Sequence, residues 1–181
     1  MAAMAVLALV LSLQAGAPAR AAGLSFAAQA EQAGLSSQQA KALQSKVDHY
    51  LEATGGKQVS PNEIDYKDGN LRVVIPGEAH PRDFSSKAAK QVTADHCNGA
   101  PKYNGYFCAY SGSYYTGDTR QWYTCGTYSM PFHHGGSWIN NQTKNQAANM
   151  YNSNGDDIFW TFAFDEDPTG DWWHVWTVEL C

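Results

Sequence analysis

Basic charge is scarce in the second half of this sequence. Residues 97–181 hold three basic side chains, Lys102, Arg120 and Lys144, against eight acidic ones, which accounts for the whole net charge of -5. Residues 1–96 are balanced, nine against nine. So few Lys and Arg cannot neutralise a run of phosphates, which excludes nucleic acid and anionic membrane as partners. Long apolar runs are also lacking. Residues 5–13, interrupted only by Ser12, fall short of the about 20 residues a helix needs to cross a bilayer. No Cys precedes residue 97, and no Cys-x2-Cys or His-x3-His pair occurs. His96-Cys97 and His133-His134 are adjacent pairs, and chain neighbours rarely point at one metal, so neither a metal site nor a cofactor is expected. Gly-x-Ser-x-Gly is missing too, which removes the usual serine-hydrolase elbow.

What is present at the start is a segment of secretory type. The run 5–13 has the length of a signal hydrophobic region, and Ala19-Arg20-Ala21 offers small residues at the two positions that signal peptidase inspects. Residues 1–21 are therefore expected to be a signal peptide cut after Ala21, although Met1 to Met4 carry no basic side chain. The mature chain is expected to be secreted and free of membrane. Four cysteines, Cys97, Cys108, Cys125 and Cys181, then read as two disulfides, with three pairings open.

Residues 22–96 are expected to form a helix and hairpin followed by a linker. Residues 35–56 repeat apolar side chains at helical spacing (Ala40, Leu43, Val47, Tyr50, Leu51), with Ser36 or Ser37 as cap and Gly55-Gly56 as stop. Asp68-Gly69 sits between two strand-like runs and signals a hairpin. Such a unit either packs on the second half or is a removable pro-region. Residues 77–96 read as the linker.

After Cys97, short strand candidates alternate with Gly, Asn and Ser turns: 106–110, 121–125, 137–140, 148–151, 158–164 and 172–180. This predicts a mainly β, antiparallel Greek-key or sandwich domain over residues 97–181. The stretch FCAYSGSYYTG (107–117) carries aromatics at Tyr110 and Tyr115, then Gly117. That skeleton suits a hairpin folded over its own sheet, with the glycine at positive φ and the Ser137 hydroxyl available to tie the fold down.

This pattern resembles the βγ-crystallin motif and, with Cys97 and Cys108, peptidase inhibitor family I36, which includes secreted metalloproteinase inhibitors. The resemblance covers residues 97–181. It implies a βγ-crystallin-like fold, pairing of Cys97 with Cys108 and so of Cys125 with Cys181, and inhibition of a secreted protease. Calcium, frequent in such domains, is not expected here. Phe132-His133-His134-Gly135-Gly136 before Ser137 lacks the oxygen side chains it needs. An inhibitory contact loop is sought at Asp165, Glu166, Asp167 and Pro168, within the turn 165–171, or at residues 131–137.

Two other readings compete. Glu166 and Asp171 with His174 could be hydrolytic groups, but they lie in a polar turn, and the protein is read as non-enzymatic. A cell-wall polysaccharide module is the stronger rival, because six tryptophans fall within residues 97–181. Trp172 and Trp173 are consecutive, so on a strand one of them would face solvent. Asn141-Gln142-Thr143 is a glycosylation sequon.

Overall fold

The computed structural model describes residues 24–84 and 95–181. The expected signal peptide and residues 85–94 of the expected linker lie outside the described residues. Two helices, α1 (Phe26–Gln32) and α2 (Ser37–Thr54), precede eleven strands: β1 (Lys57–Ser60), β2 (Glu63–Tyr66), β3 (Gly69–Arg72), β4 (Tyr106–Gly112), β5 (Thr116–Trp122), β6 (Gly126–Ser129), β7 (Ser137–Asn141), β8 (Ala147–Tyr151), β9 (Asp157–Phe162), β10 (Asp165–Asp167) and β11 (Thr177–Leu180). The fold is mainly β, in two antiparallel sheets. The larger runs β1-β2-β3-β5-β4-β7-β10 and the smaller β6-β11-β8-β9.

Helix α2 forms where the apolar stripe requires it. Ser36 Oγ accepts from the Gln39 amide (3.2 Å) while the Gln39 side chain accepts from the Ser36 amide (3.1 Å). These two bonds satisfy amides that a first turn leaves free. Its buried stripe is Ala40, Leu43, Val47 and Tyr50, and Gly55 closes it. The preceding α1, capped by Ser25, buries Ala30 alone; so short an element has no periodicity to read.

The hairpin β2–β3 forms as expected, but its two-residue turn is Lys67-Asp68, with Gly69 already paired to Tyr66, and it is not a separate unit. Leu71 of β3 pairs with Arg120 of β5, and Gly69 with Trp122. The composition boundary at residue 96 thus cuts through one continuous sheet. Leu43, Val47, Ile64 and Leu71 share a core with Phe107, Trp122, Phe132, Met150, Trp172 and Val178. The shift in composition therefore marks neither the end of a sheet nor the end of a core.

Central β4 is buried on both faces. Phe107 and Ala109 belong to the main core, and Cys108 and Tyr110 to a smaller cluster with Cys97 and Ile139. The disulfides join Cys97 to Cys108 and Cys125 to Cys181. The first fastens the segment 95–106 over the outer face of β4, and the second ties β11 to the approach to β6.

Several strands differ from expectation. The expected strand 121–125 begins earlier, because Ser113–Tyr115 is one tight turn and β5 starts at Thr116. Residues 172–176 are a turn rather than strand, since Trp172 is buried and the chain folds back at Val175 N→Trp172 O (3.1 Å). The sequon is closed: Asn141 is buried, donates to Pro101 O (3.0 Å) and accepts from Tyr103 N (2.6 Å).

Candidate functional site

The folded hairpin sets one end of the molecule. Ser137 Oγ donates to Gly112 O (2.6 Å) and accepts from Tyr115 N (2.9 Å). Tyr110 and Tyr115 meet edge to face at 5.5 Å. Gly117 has φ 83°, and a Cβ there would stand 2.3 Å from Ser111 Oγ, so no larger residue fits. Tyr110 OH donates to both oxygens of Asp95 (2.9 and 2.8 Å). Burial, then the adjacent carboxylate, pushes its phenol far above the usual range. Burial also raises Tyr115, to about 12, helped by Glu166 and Asp167. All four motif residues are thereby placed in packing and hydrogen bonding, not at an open surface.

The loops singled out for contact come to this same end. Asp165, Glu166 and Asp167 are strand β10, paired with Asn140, Ile139 and Trp138 of β7, so they are not the free acidic turn the residue types suggested. An edge strand tolerates a charged run, because its outer side stays in water. Asp165 accepts from Thr161 Oγ1 (2.6 Å), and Pro168 O accepts from Tyr114 N (2.6 Å), which fastens this segment to the folded hairpin.

Residues 131–136 are braced against residues 170–172. Gly136 N donates to Gly170 O (2.7 Å) and Trp172 N donates to His134 O (3.0 Å), and these two bonds make the bridge between Gly135 and Asp171. Beneath them Phe132, Trp172 and Val175 are buried, and Trp172 Nε1 donates to Tyr110 O (2.9 Å). A Cβ on Gly136 would lie 2.3 Å from Tyr110 O, so the residue must be glycine for the loop to sit this close. The result is a rigid rim exposing His133, His134, Asp171, Trp173, His174 and Trp176. Trp173 is 61 % and Trp176 51 % exposed. The Trp176 ring lies 4.8 Å from that of His133. Beside the rim a recess of about 130 Å³ is lined by Phe159, Asp167, Gly170 and Trp172.

The tryptophans divide evenly. Trp122, Trp138 and Trp172 are core, whereas Trp160, Trp173 and Trp176 are half or more exposed. The bracing through Gly136 and Trp172 was not foreseen. Its only trace in the sequence is a glycine pair following a single apolar residue, Phe132.

Of the hydrolytic candidates, Glu166 is in β10 beside Tyr115, and Asp171 Oδ1 is engaged by Trp173 N (2.9 Å). Among the described residues one group of possible metal ligands converges, Asp95 with Cys97 and Cys108, but both sulfurs are spent in the disulfide. A cleft of about 290 Å³ lies between α2 and the sheets. Its guanidinium, Arg120, is already engaged by Asp68 Oδ2 (2.6 Å) and by the rings of Tyr66 and Trp122. No family model, curated protein or solved structure matches this chain.

Proposed function

We propose that this is a secreted, non-catalytic, βγ-crystallin-like protein of the peptidase-inhibitor type, which presents the rim of residues 131–136 and 168–176 to a protease, in the first instance a metalloproteinase. The observation that carries this is the bracing of the two loops: two backbone hydrogen bonds between them, which together form the Gly135–Asp171 bridge, a buried Trp172 beneath, and the Ser137-tied hairpin alongside. An inhibitor that occupies a protease cleft must not reorganise on binding, and a loop already held in one shape loses little entropy there. The two disulfides fit an oxidising compartment. The resemblance of the corner Tyr110, Tyr115, Gly117 and Ser137 to the I36 pattern selects proteases over other partners.

A second reading, retention on cell-wall polysaccharide, is favoured by Trp173 and Trp176, whose exposed rings are available to stack on sugar faces. One experiment separates the two. The purified full chain is assayed against a panel of metallo- and serine proteases and, in parallel, for retention on insoluble polysaccharide. The inhibitor reading expects inhibition weakened by Gly136→Val. The polysaccharide reading expects no inhibition and retention lost in Trp173→Ala. Failure of both removes the rim as a binding site.

A further inference from the structure

Among the described residues, strand β9 is the outermost strand of the smaller sheet, with β8 as its sole neighbour. Its hydrogen-bonding direction follows from the ladder. Ala163 N donates to Gln146 O (2.9 Å), while Ala147 O turns the other way and accepts from Cys181 N (3.0 Å). In an antiparallel ladder these directions alternate along the strand. Given the register Ala147 with Phe162 and Asn149 with Trp160, Trp160 and Phe162 point their N–H and C=O groups away from the sheet.

Free edges of this kind invite pairing with another chain, and proteins usually blunt them with charge, proline or irregularity. Two of the other three edges carry such protection. Strand β10 is Asp165-Glu166-Asp167. Strand β1 starts at Lys57 and slips register between Gln58 and Ser60. The third, β6, is short and polar, Gly126-Thr127-Tyr128-Ser129. From Ile158 to Phe162, β9 has no charge, proline or glycine, and Ile158, Phe159, Trp160 and Phe162 are all exposed. Its one irregularity falls opposite Met150 and Tyr151, before the regular part begins at Phe159.

We propose that β9 is the contact of a two-fold dimer, in which it pairs antiparallel with β9 of a second copy. The edge is complementary to itself. With Thr161 on the axis opposite Thr161 of the second copy, Trp160 stands opposite Phe162, and the two-fold repeats that pair. The outward backbone groups of both residues then meet their counterparts in hydrogen-bonded register. Phe159 falls opposite the small Ala163, just past the strand's end, and none of the paired positions 159–163 is charged, although Asp165 stands beside the axis as acceptor from Thr161 Oγ1 (2.6 Å). This register avoids the irregularity before Phe159. Closure by a two-fold stops at two copies and removes the edge from both. Cross-strand aromatic pairs add to the backbone bonds. The dimer is independent of which ligand the rim takes.

Sedimentation of the purified full chain over a concentration series tests this, with far-UV circular dichroism on every sample. A concentration-dependent dimer is expected. Trp160→Lys or Phe162→Glu alone should weaken it on the order of a hundredfold, since the two-fold repeats each unpaired charge. The double variant Trp160→Lys/Phe162→Glu sets opposite charges face to face and should dimerise again. Without any substitution, exchange of the Trp160 and Phe162 amides should slow as concentration rises. A folded chain that stays monomeric throughout, a dimer indifferent to either single change, or a double variant no better than the singles would each overturn the proposal.

Discussion

Lys46 Nζ lies 2.7 Å from Asp118 Oδ1, joining α2 to β5 across 72 residues of sequence. The same carboxylate accepts from Val74 N (2.8 Å) and Tyr50 OH (2.7 Å). One buried aspartate thus gathers the helix, the stretch after β3 and the second half of the chain. Removing it leaves a buried phenol and a buried amide without an acceptor. Asp118→Ala should cost about 3 kcal/mol of unfolding free energy, read from urea denaturation.

Residues 97–181 expressed alone should not fold. Strand β5 would lose its β3 partner over Thr119–Trp122, and Arg120 would keep its buried charge without Asp68. The amide proton spectrum should collapse to the narrow dispersion of an unfolded chain, whereas residues 24–181 should give a dispersed one.

Ser137→Ala should cost about 3 kcal/mol, because it strands the Tyr115 amide and the Gly112 carbonyl at a buried site. Hydrogen exchange at Tyr115 should accelerate more than exchange in α2, which the serine does not touch.

Alkali should unfold the protein through its phenols. Tyr50, Tyr110 and Tyr115 are all raised above the ordinary value of 10.0, chiefly by burial. A phenol raised in the folded state contributes stability that is complete below the unfolded pKa and is lost as pH rises towards the folded one. Stability should therefore hold to about pH 10 and decline above it. Absorbance titration should show Tyr50 and Tyr110 ionising only with unfolding, together with loss of near-UV dichroism.

The disulfides should contribute unequally. The bond from Cys125 to Cys181 closes 56 positions and that from Cys97 to Cys108 closes 11. Loop entropy assigns about 4 kcal/mol to the first and about 3 kcal/mol to the second. Paired Cys→Ser variants compared by chemical denaturation should reproduce that order.

Helix α2 was legible to within a residue or two because its stripe, its cap and its glycine stop all agree. The hairpin was legible from Asp68-Gly69, although its turn falls one residue earlier, at Lys67-Asp68. The folded corner could be drawn from Tyr110, Tyr115 and Gly117, where packing demands particular residue types at particular steps. Pairing partners were not legible. That β3 adjoins β5 rests on contacts between Gly69 and Trp122 or Leu71 and Arg120, which leave no local periodicity. Asp165-Glu166-Asp167 looked like a turn because acidic residues are poor strand formers, yet pairing to β7 on one side was enough. Trp172 and Trp173 suggested a strand by their aromatic character, whereas the indole bond to Tyr110 O bends the chain away. Both segments of the rim were singled out as loops, but their bracing against each other was not legible, because it is made by backbone hydrogen bonds that leave little trace in side-chain pattern.

The pairing of β3 with β5 has a consequence for proteolysis. A single cut anywhere between Phe84 and Asp95 would break the covalent chain without discarding its first part. The pieces would still share the β3–β5 ladder, the ion pair of Arg120 with Asp68, the Tyr50 contact with Phe132 and the bond from Gly117 N to Ala79 O. The cleaved protein would migrate as two bands under denaturing conditions and as one species under native ones. Such a cut would yield a nicked heterodimer, not a liberated C-terminal fragment.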